Sequence, residues 1–119
     1  MTENDNLVKE IITAIQDKKG RDIACVDLSG IETAVTQGFV IAQGNSPLQV
    51  DAIADNVREH VEKQLGVRPF NYDGYQNSQW IIIDYGVLYV HIFLPDVRER
   101  YNLEQLWADA DVKLIPNLD

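Results

Sequence analysis

Residues 80–93 read WIIIDYGVLYVHIF, two runs of aliphatic and aromatic residues on either side of one glycine. Runs of this composition are typical of β-strands, and the break at Gly86 indicates a hairpin of two antiparallel strands. Tyr89, His91 and Phe93 alternate along the second run, so they share one face of the predicted sheet. This hairpin is the strongest structural signal in the chain.

The segments around the hairpin alternate between helical and strand patterns. The predicted order is a helix at 6–19, strands at 23–28 and 38–42, a helix at 47–65, a short strand at 70–72, the hairpin, and a short helix near 103–107. The hairpin combined with a parallel part indicates a mixed sheet with helices packed on it, an α/β fold. At 119 residues the chain is predicted to form one domain, 1–119, with 111–119 as a tail.

The second predicted helix has the clearest start in the sequence. Ser46 is suited to cap the helix, Pro47 to occupy its first turn, and Gln49 to complete a capping box three residues after the serine. Gly66 follows the last apolar position and is suited to end the helix.

Composition restricts the class of function. The net charge is -9, from 19 acidic and 10 basic residues, which opposes direct nucleic-acid binding and favours a basic protein partner. The polar, acidic N-terminus lacks the pattern of a secretion signal, and no apolar run approaches the length of a membrane helix. We therefore expect a cytoplasmic protein that does not span a membrane.

Residues for catalysis or metal binding are sparse. The chain has one cysteine, Cys25, and two histidines, His60 and His91, without the spacing of a metal site, so neither metal nor cofactor is expected. His91 is interpreted as a buried or interface residue rather than an acid–base catalyst. We therefore expect a protein without enzymatic activity.

One enzymatic alternative stays open. The segment from Gly44 to Ser46, between a strand and a helix, is similar to the start of a nucleotidyltransferase site, although helix capping explains it as well. Such a site also needs paired carboxylates for Mg²⁺, whereas Asp84 is followed by Tyr85 and Gly86. A residual nucleotide-binding activity would have to use Gly44, Ser46 and Asp84.

Short blocks of residues occur in a characteristic order along the chain. These blocks are Trp80 to Gly86, Val90 to Phe93, Arg98, Tyr101, Leu103-Glu104 and Leu106-Trp107, preceded by Asp22-Ile23, Asp27-Leu28, Phe39 to Ile41, Gly44 to Ser46 and Ala52 to Asp55. Together they resemble the bacterial ribosomal silencing factor, or Iojap, family. They occur in the family's order and at compatible spacing over about residues 7–110.

The resemblance implies a nucleotidyltransferase-like fold that lacks the catalytic carboxylates. It also implies a translational repressor that binds protein fourteen of the large ribosomal subunit and blocks joining of the small and large subunits, especially under nutrient limitation. An acidic module that meets a basic ribosomal protein is electrostatically reasonable.

A partner-binding surface is predicted from this resemblance and from the concentration of aromatic residues in the C-terminal third. Its predicted members are Trp80, Asp84, Tyr85, Gly86, His91, Phe93, Arg98 and Tyr101. The alternative places Trp80 and Phe93 in the core. A second alternative is a homodimer in which exposed aromatic residues pair with each other.

Overall fold

The computed structural model describes residues 3–28, 37–106 and 110–118, which form four helices and six strands. In chain order these are α1 (Glu3–Asp17), β1 (Arg21–Asp27), β2 (Gly38–Gln43), α2 (Pro47–Leu65), β3 (Asn71–Asp73), β4 (Trp80–Asp84), β5 (Leu88–Phe93), α3 (Pro95–Tyr101), α4 (Leu103–Leu106) and β6 (Asp111–Ile115). None of the helices in these ranges is long and apolar enough to cross a membrane.

All six strands belong to one mixed sheet with the order β3-β4-β5-β2-β1-β6. The predicted hairpin is confirmed, because β4 and β5 pair antiparallel and Trp80 lies opposite Phe93. β2 and β5 are parallel neighbours at the centre, and every other pair is antiparallel. The predicted α/β class with a mixed sheet is therefore confirmed.

The two faces of the sheet are covered differently. One face, which we call the helix face, packs against α1 and α2 through fully buried aliphatic residues such as Ile15, Ile53 and Val90. The opposite face, which we call the aromatic face, has a smaller core that includes Phe39, Phe93 and, from α3, Val97. Since α3 is short, it covers less of its face than α1 and α2 cover of theirs.

The C-terminal part departs from the sequence prediction. The tail predicted at 111–119 is wrong for Asp111–Ile115, which pairs with all but the first two residues of β1 as an edge strand. The structure also contains a helix that the sequence analysis did not predict, α3, which begins at Pro95 because proline suits the first turn of a helix. The helix predicted near 103–107 ends at Leu106 as described, and Trp107 lies outside the described residues.

The start of α2 is capped as predicted. Ser46 has extended backbone angles, and its Oγ accepts a hydrogen bond from the backbone N–H of Gln49 at 3.1 Å. The Gln49 Oε1 accepts from the backbone N–H of Asn45 at 2.7 Å, one residue earlier than in the standard capping box. Gly66 ends the helix in the left-handed conformation, with φ 67°.

Replacing Ser46 with alanine is expected to lower the free energy of unfolding by about 1 kcal/mol, because the Gln49 amide loses its acceptor. Chemical denaturation of both proteins measures the difference. Ser46→Asp is the matched control, since aspartate caps as well as serine and should retain wild-type stability. Equal stability of the alanine variant would contradict the cap.

Candidate aromatic docking surface

Trp80 is the centre of an aromatic cluster on the aromatic face. It is the first residue of β4, and its ring stacks on Phe93 of the neighbouring strand with the centroids 4.9 Å apart. The Trp80 ring also contacts Tyr101 at the end of α3, at a centroid distance of 4.7 Å. Aromatic pairs at these separations stabilise the folded protein by more than the burial of their surface area alone. Two strands and a helix therefore hold Trp80 in place.

His91 lies beneath this cluster and is only 8% exposed. The Trp80 Nε1–H donates to the His91 Nδ1 at 3.1 Å, which assigns the histidine proton to Nε2. The Phe39 ring meets the imidazole edge-on at a centroid distance of 5.5 Å. Burial lowers the pKa of His91 to about 4, so the ring is neutral at physiological pH. His91 thus serves as an acceptor that orients Trp80.

The part of the aromatic face that remains accessible lies beside this cluster. Ile82 is opposite His91, and Asp84 is opposite Tyr89, so all four side chains point to the aromatic face. We call the accessible surface the docking patch and define it by five residues, which are half-buried except for the exposed Tyr101. These residues are Trp80, Ile82, Asp84, Tyr89 and Tyr101.

The predicted binding residues included three members of the docking patch and omitted Ile82 and Tyr89. The signal for both was strand parity, because Ile82 is two residues from Trp80 and Tyr89 is two residues from His91. The period of a strand shows which residues share a face of the sheet. Which of those residues stay accessible depends on α3, which covers one end of that face.

Asp84 and Gly86 shape the hairpin turn. The Asp84 Oδ1 accepts a hydrogen bond from the Gly86 N–H at 2.7 Å. Gly86 has φ 83°, and a Cβ at this position would lie 2.8 Å from the Phe70 ring. A side chain would therefore be strained in the backbone and would also displace Phe70. The structure thus gives Gly86 a role in the turn, whether or not it contacts a partner.

Tyr85 and Phe93 are both buried. Phe93 lies in the core of the aromatic face, as the alternative interpretation expected. Tyr85 is 5% exposed and packs into the core of the helix face, on the opposite side of the sheet from the docking patch. Its hydroxyl has no hydrogen-bond partner among the described residues, and burial raises the pKa of the phenol. The structure therefore does not support direct partner contact by either side chain.

Replacing Tyr85 with phenylalanine is expected to leave the free energy of unfolding unchanged or to raise it by up to about 1 kcal/mol. The reason is that the substitution removes a buried hydroxyl and keeps the packed ring. Thermal and chemical denaturation measure the change, with Tyr85→Ala as the contrasting variant that loses several kcal/mol to a cavity. A strongly destabilised Tyr85→Phe protein would show that the hydroxyl is engaged.

Arg98 connects α3 to β1 and to the C-terminal end of β2. Its Nη1 donates to the Asp22 carbonyl oxygen at 2.6 Å and to the Gln43 Oε1 at 3.2 Å. The Asp22 backbone N–H in turn donates to Asn117 Oδ1 at 2.8 Å. Arg98 is therefore a positioning residue for α3, the helix that presents Tyr101, and it is not a member of the docking patch.

The residues of the enzymatic alternative are not brought together. Gly44 and Ser46 follow the C-terminal end of β2, where Gln43 lies opposite Phe93. Asp84 lies opposite Tyr89, which pairs with Phe39 near the start of β2, so the two groups lie at opposite ends of the strands. No group of three or more potential ligands for a metal occurs in the described parts of the chain.

The chain is similar over most of its length to proteins of one family. The family model described as "Ribosomal silencing factor during starvation" matches residues 1–119. The "Ribosomal silencing factor RsfS" of Halalkalibacterium halodurans is 36% identical over 107 residues, which cover 90% of each chain. The chloroplastic Iojap protein of Arabidopsis thaliana is 35% identical over 101 residues, covering 85% of this chain and 41% of the plant protein.

Two solved structures share the fold. A Chromobacterium violaceum protein superposes with a TM-score of 0.84 at 36% identity, covering 90% of this chain and 88% of that chain. A Bacillus halodurans protein superposes with a TM-score of 0.76 at 32% identity, covering 97% and 98%. On the strength of the full-length family match and these relatives, the chain belongs to the ribosomal silencing factor family.

Proposed function

We propose that the protein represses translation by binding the large ribosomal subunit through the docking patch. The contact is with protein fourteen of that subunit, on the surface that meets the small subunit, and bound protein prevents the two subunits from joining. This action matters most when nutrients are limiting. Family membership supports the silencing role, and the docking patch supports the mode of contact.

The observation that supports this surface best is the contact of Trp80 with Tyr101 on a rigid support. Binding hot spots are rich in tryptophan and tyrosine, and they cost little entropy when the rings are already held. Trp80 is held by Phe93, by Tyr101 and by its hydrogen bond to His91. The cluster can therefore bury its remaining accessible surface against a partner without being reorganised.

Charge favours a basic partner for the same surface. The carboxylate of Asp84 belongs to the docking patch, and Asp73 lies opposite Ile82 on the same face. The net charge of -9 adds a long-range attraction to a cationic protein and a repulsion from exposed RNA phosphates. Recognition of a basic ribosomal protein, rather than of RNA, agrees with this distribution.

The protein is proposed to act without catalysis, as a cytoplasmic factor with a nucleotidyltransferase-like fold that has no catalytic carboxylates. To block subunit joining sterically, the bound protein needs only to occupy the surface on which the small subunit would dock. Residual nucleotide binding is the competing proposal, and the separation of Asp84 from Ser46 counts against it. Calorimetry with nucleoside triphosphates and Mg²⁺ discriminates the two, because binding heat would support the competing proposal.

The test is sedimentation of purified ribosomal subunits with and without the protein. We expect the protein to co-sediment with large subunits and to reduce the fraction of joined ribosomes, with small subunits as the control. Joining that is unaffected, with no protein in the large-subunit fraction, would refute the proposal. If the aromatic residues form a homodimer, self-association and binding to the large subunit would use the same surface. Conditions that favour the dimer would then reduce co-sedimentation with large subunits.

A further inference from the structure

Asp22, near the start of β1, has an unusual backbone conformation. Its φ is 52°, in the left-handed region, and the register between β1 and β2 shifts between Arg21 and Ala24, which marks a bulge. In a bulge the extra residue is left out of the pairing of the strands. Aspartate reaches the left-handed region more easily than most residues, but the conformation still costs free energy, so surrounding contacts must hold it.

Asn117, two residues after β6, holds this bulge through both polar atoms of its side chain. Its Oδ1 accepts a hydrogen bond from the Asp22 backbone N–H at 2.8 Å, and its Nδ2 donates to the Asp22 Oδ1 at 3.2 Å. A side-chain amide can make both bonds because it contains a donor and an acceptor. The amide of Asn117 therefore fixes the backbone and the side chain of Asp22 together.

The bulge is also bonded to α3, through the Asp22 carbonyl oxygen. The Arg98 Nη1 donates to this oxygen at 2.6 Å, and the Arg98 carbonyl oxygen accepts from the Asn102 N–H at 2.8 Å at the end of the helix. Tyr101 lies between Arg98 and Asn102 in the chain, and its ring contacts Trp80. A continuous series of contacts thus runs from the segment after β6 to the docking patch.

The helix α3 depends on such contacts for its position. It has seven residues, and Leu94, the residue before it, makes no side-chain hydrogen bond that would cap its start. A helix of two turns is not stable alone, so tertiary contacts must hold it. Val97 supplies the buried apolar contact, and Arg98 supplies the polar one. Without the polar contact α3 would be held mainly by packing, and Tyr101 would be placed less precisely.

We propose that Asn117 is a positioning residue for the docking patch, which it reaches through Asp22 and Arg98. Its role in binding rests on the proposed function, in which the docking patch contacts the large ribosomal subunit. Binding is tightest when the rings are already in their bound positions, so a displaced α3 lowers the affinity. Asp22 on β1 is three strand spacings, about 14 Å, from Trp80 on β4, so the effect crosses the sheet.

An exchange of donor and acceptor tests the contact in the full chain. Asn117→Asp removes the donor and sets a carboxylate against that of Asp22, so the contact becomes repulsive. The double variant Asp22→Asn/Asn117→Asp moves the donor to the other side chain, so both bonds can form again and the net charge equals that of the wild type. Leu118→Ala is the control, because it changes the same segment at a side chain that is 66% exposed.

The fluorescence of Trp80 reports the position of Tyr101 without a ribosome. A Trp107→Phe background leaves Trp80 as the only tryptophan of the chain. In this background we expect Asn117→Asp to shift the emission to longer wavelength and to increase quenching by acrylamide, because Trp80 loses contact with Tyr101. The double variant and Leu118→Ala should match the background protein, and circular dichroism checks that each variant is folded.

Co-sedimentation with purified large subunits gives the affinity of each protein with Trp107 intact. We expect Asn117→Asp to bind about tenfold more weakly, with recovery in the double variant and no change in Leu118→Ala. Normal affinity of Asn117→Asp, an unchanged Trp80 emission, or a loss that the double variant does not recover overturns the proposal. A wild type that does not bind large subunits refutes the proposed function instead, and the Trp80 emission then decides whether Asn117 positions Tyr101.

Discussion

Tyr101→Ala is expected to lower the affinity for the large ribosomal subunit by about 100-fold, with little loss of stability. The side chain is 48% exposed, so the folded protein buries only part of it, whereas a partner on the docking patch would bury the rest. Truncation also removes the support of Trp80 from α3. A loss of this size corresponds to about 3 kcal/mol, within the range of a binding hot spot.

Tyr72→Ala is the matched control for this experiment. Tyr72 is 45% exposed, nearly the same as Tyr101, but it lies opposite Ile83 on the other side of the sheet. Its ring contacts the Arg58 guanidinium at 3.7 Å, an exposed cation–π contact whose loss costs about 1 kcal/mol of stability or less. Affinity is measured by co-sedimentation with purified large subunits. Normal binding by Tyr101→Ala together with loss in Tyr72→Ala would move the contact to the helix face.

The hairpin was predictable because local residue patterns determine it. The runs before and after Gly86 are rich in β-formers, and the glycine occupies the left-handed conformation that this turn requires. Helix α2 was predictable for the same reason, through the Ser46 cap and Gly66. In both places a short segment contains its own start and stop signals.

β6 was missed because its signal is not local. Charged and apolar residues alternate only over Asp111 to Leu114, four positions of this strand, and its stability comes from pairing with β1, far away in the chain. A pattern of that length does not distinguish an edge strand from a tail. Only the paired structure shows that the two ends of the chain share one sheet.

The sequence predicted the types of residue that form the candidate surface, but not which of the named residues point to the accessible face. Tyr85 was included because of the family resemblance and the concentration of aromatic residues. Adjacent residues of a strand point to opposite faces, however, and Tyr85 continues that alternation into the helix-face core. Phe93 has the parity of the patch, but α3 covers it. Which residues remain accessible depends on the placement of a helix that the sequence analysis did not predict.

Protonation of His91 is expected to couple stability to pH. Burial lowers its pKa from 6.5 to about 4, so between these values the unfolded chain binds a proton that the folded protein does not. Stability from this residue is therefore fully present above pH 6.5 and is lost as the pH falls towards 4. The shift corresponds to about 3 kcal/mol, a large fraction of the stability of a small domain.

The contribution of His91 is isolated by comparison with His91→Asn, measured by urea denaturation across this pH range. Asparagine retains an acceptor for the Trp80 Nε1–H but does not titrate, so the variant should lose stability less steeply as the pH falls. Carboxylates titrate in both proteins and cancel in the difference. His60→Gln is the control. His60 is hydrogen-bonded to Glu10 at 2.8 Å between α1 and α2, and its replacement leaves His91 and the pH dependence due to His91 in place. If the free energies of unfolding of the wild type and His91→Asn depended on pH in the same way, His91 would titrate normally in the folded state. That result would contradict a buried, neutral imidazole beneath Trp80.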